Sequence, residues 1–138
     1  ALTEWVRQGG RLVLSAGSKS RELIVPGGRL AAFVPGHFED FKELNRSQGY
    51  DELSQKASGK LTARLFGADQ RVSVPMLRNA EGAVIARDFD LPLVVRRSLG
   101  FGEVVFVAGD LDSKPFLDWP DLPKFYQAVL DWPAEDAP

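Results

Sequence analysis

Two aspartates, Asp110 and Asp112, follow directly on the apolar run "EVVFVAG" (103–109), and Gly100-Phe101-Gly102 immediately precedes it. An acidic pair at the end of a strand is where α/β folds often keep metal ligands or catalytic carboxylates, and a Gly-x-Gly can bring backbone close to a phosphate. Each pattern also has a structural reading. A hard cation takes about six oxygen ligands, and no second acidic cluster of clear spacing accompanies the pair. The expectation is that one aspartate caps the helix after it, since Ser113 and Pro115 suit a first turn. A dinucleotide fingerprint needs a third glycine and a following helix, but position 105 is Val and another apolar run follows. The glycines fit a hairpin turn joining strands near 92–98 and 102–108.

Further candidates lie after the first apolar run, "RLVLSAG" (11–17). Ligand crevices in α/β sheets open at the carboxyl ends of strands, so residues 15–20 are expected to line such a crevice, with Ser15, Gly17 and Ser18 as ligand-binding residues together with Asp110 and Asp112. Ser15 and Ser18 are conceivable nucleophiles, but "LSAGS" lacks the Gly-x-Ser-x-Gly elbow. His37, the lone histidine, could act as a base, although its place beside Pro35-Gly36 favours a surface position. No catalytic set, cofactor or metal site is expected.

Composition narrows the function classes. The 138 residues contain no cysteine, which excludes thiolate chemistry and disulfides, and one histidine excludes any site built from two imidazoles. Seventeen basic against nineteen acidic residues give a net charge of −2, with no basic patch to hold nucleic acid. No apolar run approaches the length of a spanning helix, so no membrane insertion by this segment is expected. The opening "ALTEWV" already carries helical spacing, and the chain reads as one domain excised from a longer protein.

The elements that must position these residues follow from periodicity. "LTEWVRQGG" (2–10) reads as a helix ending in glycine. Pro26-Gly27-Gly28 is a turn, and "RLAAFV" (29–34) is a short helix or strand. Phe38, Phe41 and Leu44 recur at helical spacing, predicting an amphipathic helix over 38–44, while "DELSQKASGK" (51–60) reads as surface or linker. Strands are then predicted at "KLTARLF" (60–66), "RVSVPML" (71–77), "GAVIARDF" (82–89), "LPLVVRRS" (91–98) and "EVVFVAG", with Pro75 marking an edge or bulge. Leu122, Phe125, Tyr126, Val129 and Leu130 form the stripe of a last helix. Trp5, Trp119 and Trp132 are expected to be packing residues.

The order "LTEWVRQGGRLVLSAG", then "LPLVVRRSLGFGEVVFVAGDLDSKPFLDW" and a closing "FYQAVL" resembles non-catalytic domains of the class I glutamine amidotransferase fold from membrane-anchored bacterial proteins. The resemblance covers positions 1–17 and roughly 89–138, leaving the middle unmatched. It implies a flavodoxin-like sheet with flanking helices, or the C-terminal part of one, with a β-rich insertion over about 60–90. The cysteine nucleophile of active members is missing, so that activity is not inherited. The expected role is non-enzymatic binding or assembly within a larger membrane-tethered protein, with a protein partner or other parts of the same parent chain. The alternative is a small-molecule hydrolase or transferase using Asp110 and Asp112 with His37 or Ser18.

Overall fold

The computed structural model describes residues 2–44, 46–59, 63–66 and 71–130. Its first unit is helix α1 (Leu2–Arg7) followed by strand β1 (Arg11–Ala16). Helix α2 (Arg21–Ile24), strand β2 (His37–Leu44) and helix α3 (Gln48–Ser58) come next. Strands β3 (Val72–Arg78), β4 (Ala83–Asp88), β5 (Leu91–Leu99) and β6 (Gly102–Ala108) precede the last helix, α4 (Leu122–Leu130).

The strands form two sheets. The larger has the order β1-β6-β5-β4, and the smaller is the pair β2-β3. Only β1 and β6 run parallel; β6-β5, β5-β4 and β2-β3 are antiparallel. A flavodoxin-like or partial amidotransferase-like sheet was the sequence expectation, and these strand directions overturn it. The reason is connection length. Leu99 pairs with Gly102 and Asp88 with Leu91, so two residues join each pair of strands where a parallel crossover needs about a dozen or more. Continuous valine-rich runs suit any strand covered on both faces: Leu93–Val95 in β5 and Val104–Val107 in β6 are buried without alternation in a mixed sheet.

The hairpin expected at Leu99–Gly102 is present, with Gly100 at φ 61° in its first central position. That sign is easy for glycine and strained for other residues. The turn packs on the end of α1: Phe101 N–H donates to Arg7 O (2.8 Å) and Glu103 N–H to Gly10 O (3.1 Å). Val6 is buried beneath it, while Trp5, over Gly10, stays half exposed.

Four further expectations are corrected. Residues 38–44 belong to β2, not to a helix. A register shift between Phe38 and Asp40 changes the strand's phase, so Phe38 and Phe41 meet (ring centroids 5.2 Å) at a spacing of three that imitates a helix. The supposed linker 51–60 supplies most of α3, whose inner stripe is Tyr50, Leu53, Ser54 and Ala57. Serine and alanine weaken that stripe as a hydrophobic signal while keeping helical spacing. The segment 60–90 is no single β-rich insertion: β3 pairs with β2, whereas β4 extends the main sheet. Within "KLTARLF" residues 63–66 are not in a strand, and 60–62 lie outside the described residues, as does Trp132. Pro75 lies on β3, which pairs on one side only, with β2.

The closing helix packs chiefly on α3. Phe125 lies fully buried against Tyr50 (6.1 Å) and Trp119 (5.7 Å), and Tyr50 carries the contact to the sheet by donating from its hydroxyl to Ala108 O (2.6 Å). Among the described residues, no helix is long and apolar enough to cross a membrane.

Residues 63–66 are held by side chains. Buried Asp51 accepts from Leu65 N–H (2.7 Å) and Ser47 Oγ (2.6 Å), Asp121 accepts from Ala63 N–H (3.2 Å), and Trp119 Nε1 donates to Ala63 O (2.8 Å). Burial raises the Asp51 pKa above the ordinary carboxylate value; the Ser47 and Leu65 hydrogen bonds and Arg64 oppose this, and Asp121 adds to it. A raised native pKa means the folded state binds more protons than the unfolded chain in the window just above the ordinary value, so this contribution to stability falls as pH rises through it. Asp51→Asn removes the charge and retains an acceptor for Leu65 N–H. The expected result is a variant at least as stable as wild type at pH 7, with the difference vanishing on acidification to about pH 4, near the unfolded carboxylate pKa. Urea midpoints at the two pH values check this. A loss above about 1 kcal/mol at pH 7 would show that the charged hydrogen bonds outweigh desolvation.

Candidate functional site

Strands β1 and β6 end side by side, and the loops leaving them carry the predicted residues. Their parallel register runs from Arg11↔Glu103 to Ala16↔Ala108, and Gly109 N–H extends it by donating to Ala16 O (2.8 Å). Ser15 then stitches the loops: its Oγ donates to Gly109 O (2.7 Å) and accepts from Leu111 N–H (2.9 Å). With both capacities used, the Ser15 hydroxyl is a connector between strand ends.

Asp110 does the same with a charge. Oδ1 accepts from Gly17 N–H (2.8 Å) and Ser20 Oγ (3.2 Å), and Oδ2 from Lys19 N–H (3.3 Å). It therefore binds the short 3₁₀ turn Ser18–Ser20 across the sheet rather than capping the turn that follows it, which corrects the capping expectation. The 3₁₀ turn Phe116–Asp118 has no side-chain cap. Gly17 is required by this approach: a Cβ there would lie 2.5 Å from Asp110 Oδ2 and 2.8 Å from Asp110 N. Since backbone forms part of that contact, it cannot swing aside.

A cleft of about 510 Å³ opens beside these loops. Ser18, Lys19, Arg71, Ser73, Ser113 and Lys114 contribute its polar wall together with Asp110 and Asp112, and Val72 and Phe116 its apolar wall. Of the five residues expected from sequence to bind a ligand, Ser18, Asp110 and Asp112 line the cleft, while Ser15 and Gly17 hold its loops together from behind. Lys19 spans it, with its N–H on Asp110 and Nζ donating to Ser113 Oγ (3.1 Å). Lys19 falls within the stretch 15–20 expected at the crevice, whereas Ser113 and Lys114, read only as neighbours of a helix start, were not assigned to it. Arg71 and Ser73 reach the cleft because β3 returns to pair with β2, which no local pattern announces.

His37 does not reach the cleft. It pairs with Arg78 at one end of the β2-β3 ladder, whereas Val72 and Ser73 line the cleft at the other. Residues 72 and 78 are six steps apart along β3, roughly 20 Å at the rise of an extended strand. Among the described residues, no group of three or more His, Cys, Asp or Glu side chains is placed to hold a metal ion.

No protein-family model matches the chain. Solved structures share its fold. A cytoplasmic protein of Salmonella typhimurium LT2 superposes with a TM-score of 0.60 at 20% identity, over 95% of this chain and 58% of its own. A second cytoplasmic protein of Salmonella typhimurium gives 0.59 at 15% identity, with the same coverages. An exo-β-1,4-mannosidase from Opitutaceae bacterium strain TAV5 gives 0.53 at 18% identity, over 94% of this chain and 22% of the enzyme. The chain thus spans a little over half the length of the two Salmonella proteins and about a fifth of the mannosidase.

Proposed function

We propose that this chain is a non-enzymatic binding or assembly domain of a larger protein, with the cleft at the carboxyl ends of β1 and β6 as its binding site. The observation that carries the reading is the use made of Asp110: both carboxylate oxygens are committed to Gly17, Lys19 and Ser20. A carboxylate engaged by three donors in the loops it must hold serves as a joint between them and is poorly placed to attack a substrate. Its partner in any catalytic scheme would be His37 or Ser18, and His37 stands at the far end of β3.

The structural neighbours are compatible with a domain role, because the same fold makes up about a fifth of the mannosidase chain. The test is to add a panel of small neutral and anionic metabolites to isotope-labelled protein and watch both protein and metabolite by NMR. Saturable shifts confined to the amides of 17–20 and 110–114, with the metabolite chemically unchanged, are expected. Turnover of a panel member that Asp112→Asn abolishes would overturn the reading in favour of a hydrolase or transferase built on Ser18 and Asp112.

A further inference from the structure

Hydrogen-bonding capacity around the cleft is unevenly distributed. Lys19, Arg71 and Lys114 bring three cationic heads, and Ser18, Ser73 and Ser113 bring hydroxyls. Against these donors the cleft sets two carboxylates, and Asp110 has already accepted from Gly17, Lys19 and Ser20. Asp112 is then the principal acceptor left. Lys19 Nζ contacts the neutral Ser113 hydroxyl and, among the described residues, has no carboxylate within 4.0 Å. Among the described residues Arg71 contacts Glu43 (3.3 Å), with both side chains more than half exposed. Lys114 likewise makes an exposed contact, among the described residues, to Asp118 (3.6 Å). Exposed pairs of this kind hold little energy and exchange readily for a better acceptor.

We infer that the cleft binds a small polyol carrying a phosphate or carboxylate. This rests on the binding-domain reading above and names its ligand class. Lys19 and Arg71 receive the anionic group from two walls, Arg71 through its fork and Lys19 as a point charge already extended across the cleft. Asp112 accepts from hydroxyls of the polyol, which a purely cationic site would leave unrecognised. Val72 and Phe116 supply apolar surface beside the charges and reduce their screening by water.

The experiment titrates labelled protein with glycerol 3-phosphate, glycerate and glycerol, following amides 17–20, 71–73 and 110–114. Both anions are expected to shift these amides saturably and glycerol alone is not; the stronger of the two identifies phosphate or carboxylate as the preferred group. Lys19→Met and Arg71→Met should each weaken binding at least tenfold, while Arg71→Lys and Lys19→Arg, which keep the charge, restore part of it. The Lys19 amide bond to Asp110 survives these changes, so the amide spectrum away from the cleft reports that the fold is intact. Equal shifts in wild type and Lys19→Met would reduce the effect to ionic strength and overturn the assignment. Saturable shifts from a neutral member of the metabolite panel, with none from either anion, would overturn the anion assignment and leave the binding reading standing. Silence of these amides to every compound would remove both.

Discussion

Truncation of Tyr50 to alanine is expected to bring the domain close to unfolding. The side chain is fully buried, sits edge-on to Phe116 (centroids 5.2 Å), meets Phe125, and donates to Ala108 O at the end of β6. It thus ties α4, which packs on α3, to the sheet, while Gly49 brings α3 itself against Arg87 and Leu93. Emptying a buried aromatic site costs about 3 to 5 kcal/mol, and the Ala108 carbonyl left without its donor adds about 1 to 2 kcal/mol, against a net stability of about 5 to 15 kcal/mol. Tyr50→Phe isolates the second part and should lose only about 1 to 2 kcal/mol. The hydroxyl acts as a neutral donor, because burial, helped by the nearby charge of Asp88, holds its pKa far above the ordinary value. Equilibrium urea unfolding of both variants is the check. A loss for Tyr50→Ala no larger than that for Tyr50→Phe would mean that α3 and α4 are held to the sheet by other contacts.

Removal of the Asp110 carboxylate has the second largest expected effect. Asp110→Ala strands the N–H groups of Gly17 and Lys19 and the Ser20 hydroxyl at once. An unsatisfied donor costs about 1 to 3 kcal/mol where burial keeps water away; of the three, Gly17 is buried and Lys19 exposed, so a total of about 2 to 3 kcal/mol is expected. Asp110→Asn keeps one acceptor oxygen for Gly17 and Ser20 and turns an NH₂ toward the Lys19 N–H, for a loss of about half as much. Urea midpoints order the three proteins wild type, Asn, Ala. If both variants equalled wild type in stability, Asp110 would be free for chemistry after all.

The sequence announced the parts whose causes are local. The hairpin at Leu99–Gly102 was legible because glycine at the turn and valine-rich strands on either side act over a short span of chain. Ser18, Asp110 and Asp112 line one cleft, the neighbourhood that a general rule about strand ends points to, although the sheet is mixed. What could not be read depends on pairing at a distance. Phe38, Phe41 and Leu44 imitate a helix because of a bulge that exists only against β3. Tyr50, Leu53, Ser54 and Ala57 make a helix stripe that serine and alanine conceal, so α3 passed for a linker. Asp110 looked like a cap for the residues after it, whereas its donors lie some 90 positions earlier, across the β1-β6 junction. Arg71 reaches the cleft by the same kind of remote pairing.

Whether Asp110 holds chain rather than reacting is tested most directly by amide hydrogen exchange at Gly17. In wild type the Gly17 N–H, bonded to Asp110 Oδ1 at 2.8 Å, is expected to exchange slowly, on the scale of neighbouring β1 amides such as Leu14. In Asp110→Ala it should accelerate at least tenfold more than Leu14 does, the excess separating the lost bond from general destabilisation. A Gly17 amide that exchanges at an open-loop rate in wild type, or that keeps pace with Leu14 in the variant, would contradict the structural role of Asp110 and with it the case for binding over catalysis.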